Sequence, residues 1–371
     1  MPPVRYHEGA FPPKDLDWSR LIPLIGPAAA AIARYDGVLE AIPNAHVLLS
    51  PLTTQEAVLS SRIEGTQATM GEVLEFEAGL WREDNAQKVD DIQEILNYRK
   101  AVRLAESQLS GLPLSGRLIR KTHKVLLEGV RGQNRSPGAF RKISNWIGPP
   151  GCLETEARFV PVSADRLADG MTAWEKYLHD KQPDALVQLA VLHAEFESLH
   201  PFLDGNGRLG RMLIPLFIFD KKLLSGPTFY LSEFLEARRE DYYERLLAVS
   251  RDGDWTGWCV FFLKALREQA DVNTKRARRI LELYDSMKTK VVEKTHSQHA
   301  MAALDFIFDR PVFKAADFAN KSLMPAPTAR RILRILREEG ILREIQPASG
   351  RRTAILAYPV LLNVAEGREV F

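Results

Sequence analysis

Cysteine is nearly absent from this chain of 371 residues: there are two, Cys152 and Cys259, far apart and in no CxxC or Cys/His cluster. That excludes a disulfide scaffold and a zinc finger, and it suits a reducing cytosol. Long apolar runs are missing too, none approaching the ~20 residues of a membrane span. The first residues, MPPVRYHEGAFPPKD, lack a basic start followed by an apolar core and do not read as a signal peptide. These absences point to a cytoplasmic protein with no membrane partner. Net charge is scarce as well, at +2. That near-neutrality is a cancellation: from Asp271 onward 18 Lys and Arg face 12 Asp and Glu, which leaves −4 for residues 1–270. An acidic body carries a basic tail, so the small total excludes no partner.

What is present is a globular composition, 45% hydrophobic and 26% charged. At ~100–200 residues per domain the length implies two or three domains. Apolar residues recur at i, i+3, i+4 over 54–64, 70–80, 91–109, 115–129, 164–179, 184–199, 208–220, 232–250 and 254–292, which predicts a helical protein. The run LGRMLIPLFIF, 209–219, is apolar all round and predicts a buried central helix with Pro215 inside it. Between Gly132 and Val162 the pattern changes. Two short β-prone pieces, Ile143–Ile147 and Arg158–Val160, flank a Pro-Pro-Gly turn and predict an exposed hairpin or flap.

The last stretch predicts a separate unit. Helices over 299–308, 314–320 and 326–339, the last stopped by Gly340, precede two strands in ILREIQP and RTAILAYPV around a Ser349-Gly350 turn carrying Arg351 and Arg352. This order resembles a winged helix-turn-helix. Two uses fit it equally: DNA binding, or a protein–protein module that makes a homodimer. The helix RRILRILR, 330–337, separates them poorly, because Ile332, Leu333, Ile335 and Leu336 demand a buried face that arginines would flank in either case.

Residues 205–210, GNGRLG, spell GxGxxG. A dinucleotide fold needs a strand before that pattern, and 186–199 (LVQLAVLHAEFESL) is helical. A kinase glycine loop lacks its downstream partners. The wider run, HPFLDGNGRLGR from His200 to Arg211, is more informative. Gly205 and Gly207 permit φ > 0 and an anion nest of N–H groups, to which the next helix adds its N-terminal dipole. Arg208 and Arg211, three apart, offer a cationic fork for phosphate oxygens. Asp204 supplies one hard carboxylate for Mg²⁺ shared with a diphosphate. His200 is the nearest neutral-pH general base. Together these are the parts of transfer from a nucleotide.

HPFLDGNGRLGR resembles the HxFx(D/E)GNGRxxR signature of the Fic family, enzymes that transfer AMP from ATP to hydroxyl side chains of proteins. AFRKISNWIG, with Asn145, Trp146 and Ile147, resembles the family's target-docking flap. The resemblance implies an all-α Fic-type core with a short β-hairpin flap, followed here by the winged-helix-like α+β domain. His200 would deprotonate the hydroxyl of a Tyr, Thr or Ser, on a target protein or on the chain itself, for attack on the α-phosphorus. Asp204 would hold Mg²⁺, Gly205, Asn206, Gly207 and Gly210 would shape the phosphate cradle, and Arg208 and Arg211 would take the outer phosphates. Gly207, where related kinases carry Lys, favours nucleotidyl over phosphoryl transfer. Tyr242 and Tyr243 resemble the aromatic pair near the adenine, although only one can face a pocket. His193 and Glu197, four apart, lack a third metal ligand and read better as a brace for the loop.

Upstream, Ser60-Ser-Arg-Ile-Glu64-Gly65 resembles the family's inhibitory (S/T)xxxE(G/N) motif. Ser60 and Glu64 share one helical face and Gly65 is a natural stop. The resemblance implies that Glu64 pairs with Arg211 and holds back transfer. The same residue could position water for AMP removal. A rival reading is a DNA-binding regulator whose Fic fold only senses nucleotide. The expected organisation is an N-terminal helical region with the inhibitory helix over 1–110, a catalytic core over 111–270, a linking helix over 271–295 and the winged-helix-like domain over 296–371.

Overall fold

Capping chemistry sets where the main helices begin. In the computed structural model, which describes residues 2–80, 86–322, 324–350 and 352–369, Asp184 opens the helix Ala185–Leu199 by accepting the N–H groups of Leu186 and Val187, each at 2.9 Å. Ser115 does the same for Gly116–Leu126 through Leu118 N–H, and Thr69 with Glu72 forms a reciprocal capping box at Met70–Glu77. Each cap satisfies donors that a first turn leaves unpaired. Ala185–Leu199 and Asn206–Asp220 are buried along nearly their whole length, Pro215 included. An all-round apolar pattern has its expected outcome here.

The described chain forms two compact units. The first comprises the residues up to Asp36, Leu59–Gly65 and Leu96–Asp271. Its centre is Ala185–Leu199, packed against Leu167–His179, Asn206–Asp220 and Arg239–Asp252, with Gly116–Leu126 against Asn206–Asp220. Buried indoles tie these layers together. Trp174 and Trp258 donate to the carbonyls of Leu192 and Ala190 at 2.9 and 2.7 Å. At the N-terminus, Val4–Arg5 pairs in parallel with Phe159–Val160. Tyr6 and His7 then close on the buried Glu195 carboxylate at 2.6 and 2.9 Å.

Three features differ from the sequence reading. Trp18–Ala41 is a helix of 24 residues, which the sequence pattern does not flag because Pro23 and Pro27 interrupt it. The segment 232–250 is two helices, Ser232–Ala237 and Arg239–Asp252, broken where Arg238 leaves helical geometry at φ −124°, ψ 37°. Between 143 and 160 the hairpin reduces to one antiparallel bridge, Ile147 to Phe159. On its other edge Phe159–Val160 pairs with Val4–Arg5.

The second unit comprises Gly37–Val58, Thr66–Ile95 and the residues from Val272 onward. Its C-terminal part runs helix Ala300–Asp309, strand Val312–Lys314, helices Ala315–Lys321 and Ala326–Glu338, strands Arg343–Gln346 and Ile355–Ala357, and helix Pro359–Glu366. The strands form an antiparallel sheet with Ile355–Ala357 in the middle. Rings of Phe306, Phe313 and Phe318 pack at 5.1–5.8 Å between centroids, and Ile332, Leu333 and Leu336 of the neighbouring helix Ala326–Glu338 are buried. Arg331, Arg334 and Arg337 bond the carbonyl of Thr295, Glu338 and Glu344. Arg351, expected in the turn, lies outside the described residues. No helix among the described residues is long and apolar enough to cross a membrane.

Candidate active site

His200 ends the Ala185–Leu199 helix in the left-handed region, at φ 47°, ψ 61°. A non-glycine residue holds that geometry only where its surroundings over-determine it. Arg141 does so: its guanidinium donates to the carbonyls of His200 and Leu199 at 2.9 and 3.2 Å and also to those of Ile143 and Val162. Its own N–H bonds Pro201 O at 2.9 Å. Burial lowers the Arg141 pKa to about 10, so the clamp stays charged.

Gly205 makes the second left-handed turn, at φ 76°, and starts Asn206–Asp220 with no side-chain cap. The dipole of that helix puts partial positive charge at this end. The expected positive φ holds at Gly205 alone. Gly207 is helical, and it is glycine for space: a Cβ there would overlap Glu64 Oε1 and meet Arg211 Nη1 at 3.0 Å. Gly210 likewise leaves room for Glu197 Oε1. The Asn206 amide is turned inward, with Oδ1 accepting from Phe202 N and Nδ2 donating to Phe202 O, both at 2.8 Å. Asn206 thus braces the loop with its side chain.

The two motif arginines part company. Arg208, buried, lies 3.4 Å from Asp204. Arg211, also buried, donates to Ser60 Oγ at 3.0 Å, Ser60 O at 2.8 Å and Glu64 Oε1 at 2.7 Å. The structure thus brings Ser60, Glu64 and Arg211 together, with Gly65 (φ 101°) ending the turn that carries Glu64. Burial opposes the charge on both members of the pair. It is outweighed for Glu64 by Arg211 together with Arg208 and His200, which hold the carboxyl below its ordinary range, and for Arg211 by Glu64 together with Tyr242, Tyr243 and Glu197, which raise it further.

Beside this pair lies a cavity of about 490 Å³ walled by Glu64, His200, Gly207, Arg211, Tyr243 and, from the flap side, Ile147. Burial, with a contribution from Arg141 and against the pull of Glu64, lowers His200 to about 4. Its imidazole is neutral at pH 7 and open to a proton. Glu197, in the same wall, is raised to about 7 by burial and by Glu64, against Arg211.

Tyr242 and Tyr243 both line this cavity, against the expectation that only one can face a pocket. Tyr242 is wholly buried, its hydroxyl 2.9 Å from His193 Nε2. His193 Nδ1 reaches Gly210 O at 3.2 Å, so His193 braces the motif helix as a neutral ring, its pKa lowered to about 3 chiefly by burial. Tyr243 faces the cavity, flanked by the guanidiniums of Arg158 and Arg239 at 5.8 Å each.

In the flap, Asn145 Nδ2 bonds Phe202 O at 3.2 Å, tying it to the motif. Trp146 bonds Cys152 O and remains 41% exposed, with Ile143 more so at 60%. The roles of Arg141 and His123 escape the sequence reading. Their contacts on the motif span 59 and 81 residues, and no local pattern marks them.

Comparison with known proteins agrees with this geometry. The Fic/DOC family N-terminal model matches residues 22–107 and the Fic/DOC family model residues 113–218, together just over half of the chain. The chain belongs to the Fic family. Among curated proteins it is 25% identical over 199 residues to a protein adenylyltransferase Fic of Drosophila grimshawi, covering 52% of this chain and 37% of that protein. It is 34% identical over 73 residues to a probable protein adenylyltransferase of Aquifex aeolicus, covering 20% and 23%. The matches thus span well under two thirds of those relatives. A Fic family protein from Desulfovibrio desulfuricans superposes with a TM-score of 0.58 at 21% identity over 94% of this chain and 98% of that one. Fic-1 from C. elegans gives 0.51 at 17% over 72% and 74%. These similarities establish the fold.

Proposed function

We propose that this chain is a protein adenylyltransferase that moves AMP from ATP to a Tyr, Thr or Ser hydroxyl, and that Glu64 holds it back. The observation that carries the reading is one cavity wall shared by a neutral His200, Arg211 and the uncapped N-terminus of Asn206–Asp220. An anion bound at that terminus faces the base directly.

The hydroxyl oxygen forms a bond to the α-phosphorus as the α–β bridging bond breaks. The proton goes to the His200 imidazole, and pyrophosphate leaves. Backbone N–H groups from Gly205 to Arg208 would hold phosphate oxygens, and Arg211 the terminal phosphate. Tyr243 would lie against the base, and the segment around Asn145–Ile147 would present the target's main chain. Asp204 fits a Mg²⁺ ion, being a single, partly exposed carboxylate beside the anion nest; most of that ion's ligands would be phosphate and water. The metal would neutralise charge on the departing diphosphate.

Glu64 occupies the place this scheme needs. Its carboxylate stands above Gly207 and takes Arg211, as a γ-phosphate would. We read residues 111–270 as the catalytic core and 296–371 as a winged-helix-like module. Three of its helix arginines are engaged with groups of the chain itself, which favours a role in protein contact, including homodimer formation, over DNA binding.

The test is isotopic. Protein lacking the Glu64 carboxylate should incorporate label from [α-³²P]ATP and none from [γ-³²P]ATP, and His200→Ala should abolish incorporation. Label from the γ-position would make the chain a kinase, and His200-independent label would refute the mechanism.

A further inference from the structure

Gly138, where the flap segment begins, and Asp204, in the motif loop, are far apart in sequence and held by one side chain. His123, fully buried on Gly116–Leu126, receives the Gly138 N–H at Nδ1 (2.8 Å) and reaches the Asp204 carbonyl with Nε2 (2.9 Å). A backbone N–H only donates and a carbonyl only accepts. The ring is therefore the neutral tautomer with its hydrogen on Nε2. It stacks on Phe202 at 3.7 Å between centroids and 12° between planes, and a Cβ on Gly205 would lie 3.6 Å from Nε2. The loop thus rests on His123 at Phe202, Asp204 and Gly205. On the flap side, Gly138 O accepts from Arg120 Nε at 2.9 Å. Its φ of 79°, and a Cβ that would come within 2.9 Å of Arg120 O, keep that position glycine.

We propose that His123 is a positioning residue that sets the flap and the phosphate loop in mutual register. The hydroxyl carried by the flap then meets the α-phosphorus carried by the loop. The proposal rests on the adenylyl-transfer reading above. His123 touches neither substrate and acts through the Gly138 N–H and the Asp204 carbonyl. A misplacement of ~1 Å costs on the order of 100-fold in rate, whereas binding at either surface alone does not need the two in register. Loss of His123 should therefore fall on kcat and spare nucleotide affinity.

The experiment uses full-length E64G as reference. It measures the transfer rate from saturating [α-³²P]ATP and the affinity for a non-hydrolysable ATP analogue by calorimetry. His123→Phe keeps the volume and the stack on Phe202 but loses both hydrogen bonds. In E64G/H123F the rate should fall at least about tenfold with affinity within about threefold, given the cost of misplacement. E64G/H123Q, which retains a donor towards Asp204, should recover part of the rate. An unchanged rate in H123F, a parallel fall of rate and affinity, or no recovery in H123Q would each overturn the proposal. If H123F does not fold, H123Q and H123N decide it: both slower than E64G at unchanged affinity supports the proposal, and rates equal to E64G overturn it. Absence of label in E64G itself would instead remove the transfer reading, and this proposal with it.

Discussion

Arg211 Nη2 donates to Glu64 Oε1 at 2.7 Å, and that same oxygen fills the space a Cβ on Gly207 would need. One carboxylate thus lies against both the buried Arg211 guanidinium and the first turn of the motif helix.

Ser60 should share in this restraint. Its Oγ accepts from Arg211 Nε at 3.0 Å in a fully buried setting. Ser60→Ala removes one hydrogen bond to a charged group, about 1.5–3 kcal/mol, and loosens Arg211 without removing Glu64. Label incorporation should rise a few-fold, less than in E64G. A rise equal to that in E64G would mean that Ser60, not Glu64, is the principal restraint.

Gly207→Ala sets a methyl against Glu64. In the wild type it should cost about 1–3 kcal/mol, the range for overpacking. In E64G the main obstacle is gone and the cost should shrink by about 1 kcal/mol or more, a coupling that a double-mutant cycle of denaturant midpoints measures. Additive costs would mean that Glu64 does not sit over Gly207 in solution.

Glu197 gives the molecule a pH dependence of definite sign. Its pKa is raised to about 7, first by burial and then by Glu64 against Arg211. The folded state therefore holds a proton that the unfolded chain releases near the ordinary carboxyl range. The associated stability is complete below that range and is lost as pH rises through about 7. The wild-type melting temperature should decline relative to Glu197→Gln between pH 5 and 8. Parallel melting curves would place the Glu197 carboxyl in water.

Arg141 connects the flap to the strained turn at His200 through four carbonyls. Lysine keeps the charge but not the planar fork. Arg141→Lys should lower stability by about 2–4 kcal/mol, the scale of a buried charged group losing several bonds, and reduce transfer more than nucleotide binding. A variant as stable and as active as its parent would show that the turn needs no clamp.

Much of the fold was legible because it rests on local pattern. Helical periodicity located Ala185–Leu199 and Asn206–Asp220 to within two residues, and three helices followed by two strands were visible in the turns and apolar faces of the tail, though not its strand Val312–Lys314 or its last helix Pro359–Glu366. What stayed hidden depends on partners distant in sequence. Pro23 and Pro27 masked a helix that continues through both. The pairing of Phe159–Val160 with Val4–Arg5, from the other end of the chain, leaves no local signal in the sequence. In the site, the motif residues were readable one by one, but the inward turn of the Asn206 amide, the separation of Arg208 from Arg211 and the grip of Arg141 are tertiary facts. Only packing decides them.

The most direct measurement compares label incorporation from [α-³²P]ATP by the wild-type protein and by Glu64→Gly at equal concentration, with a cell lysate as the source of targets. If Glu64 withholds Arg211 and the helix N-terminus from ATP, the variant should label itself or a lysate protein at least about tenfold faster, the return of about 1.4 kcal/mol or more in the barrier. Equal rates, or a slower variant, would contradict the account.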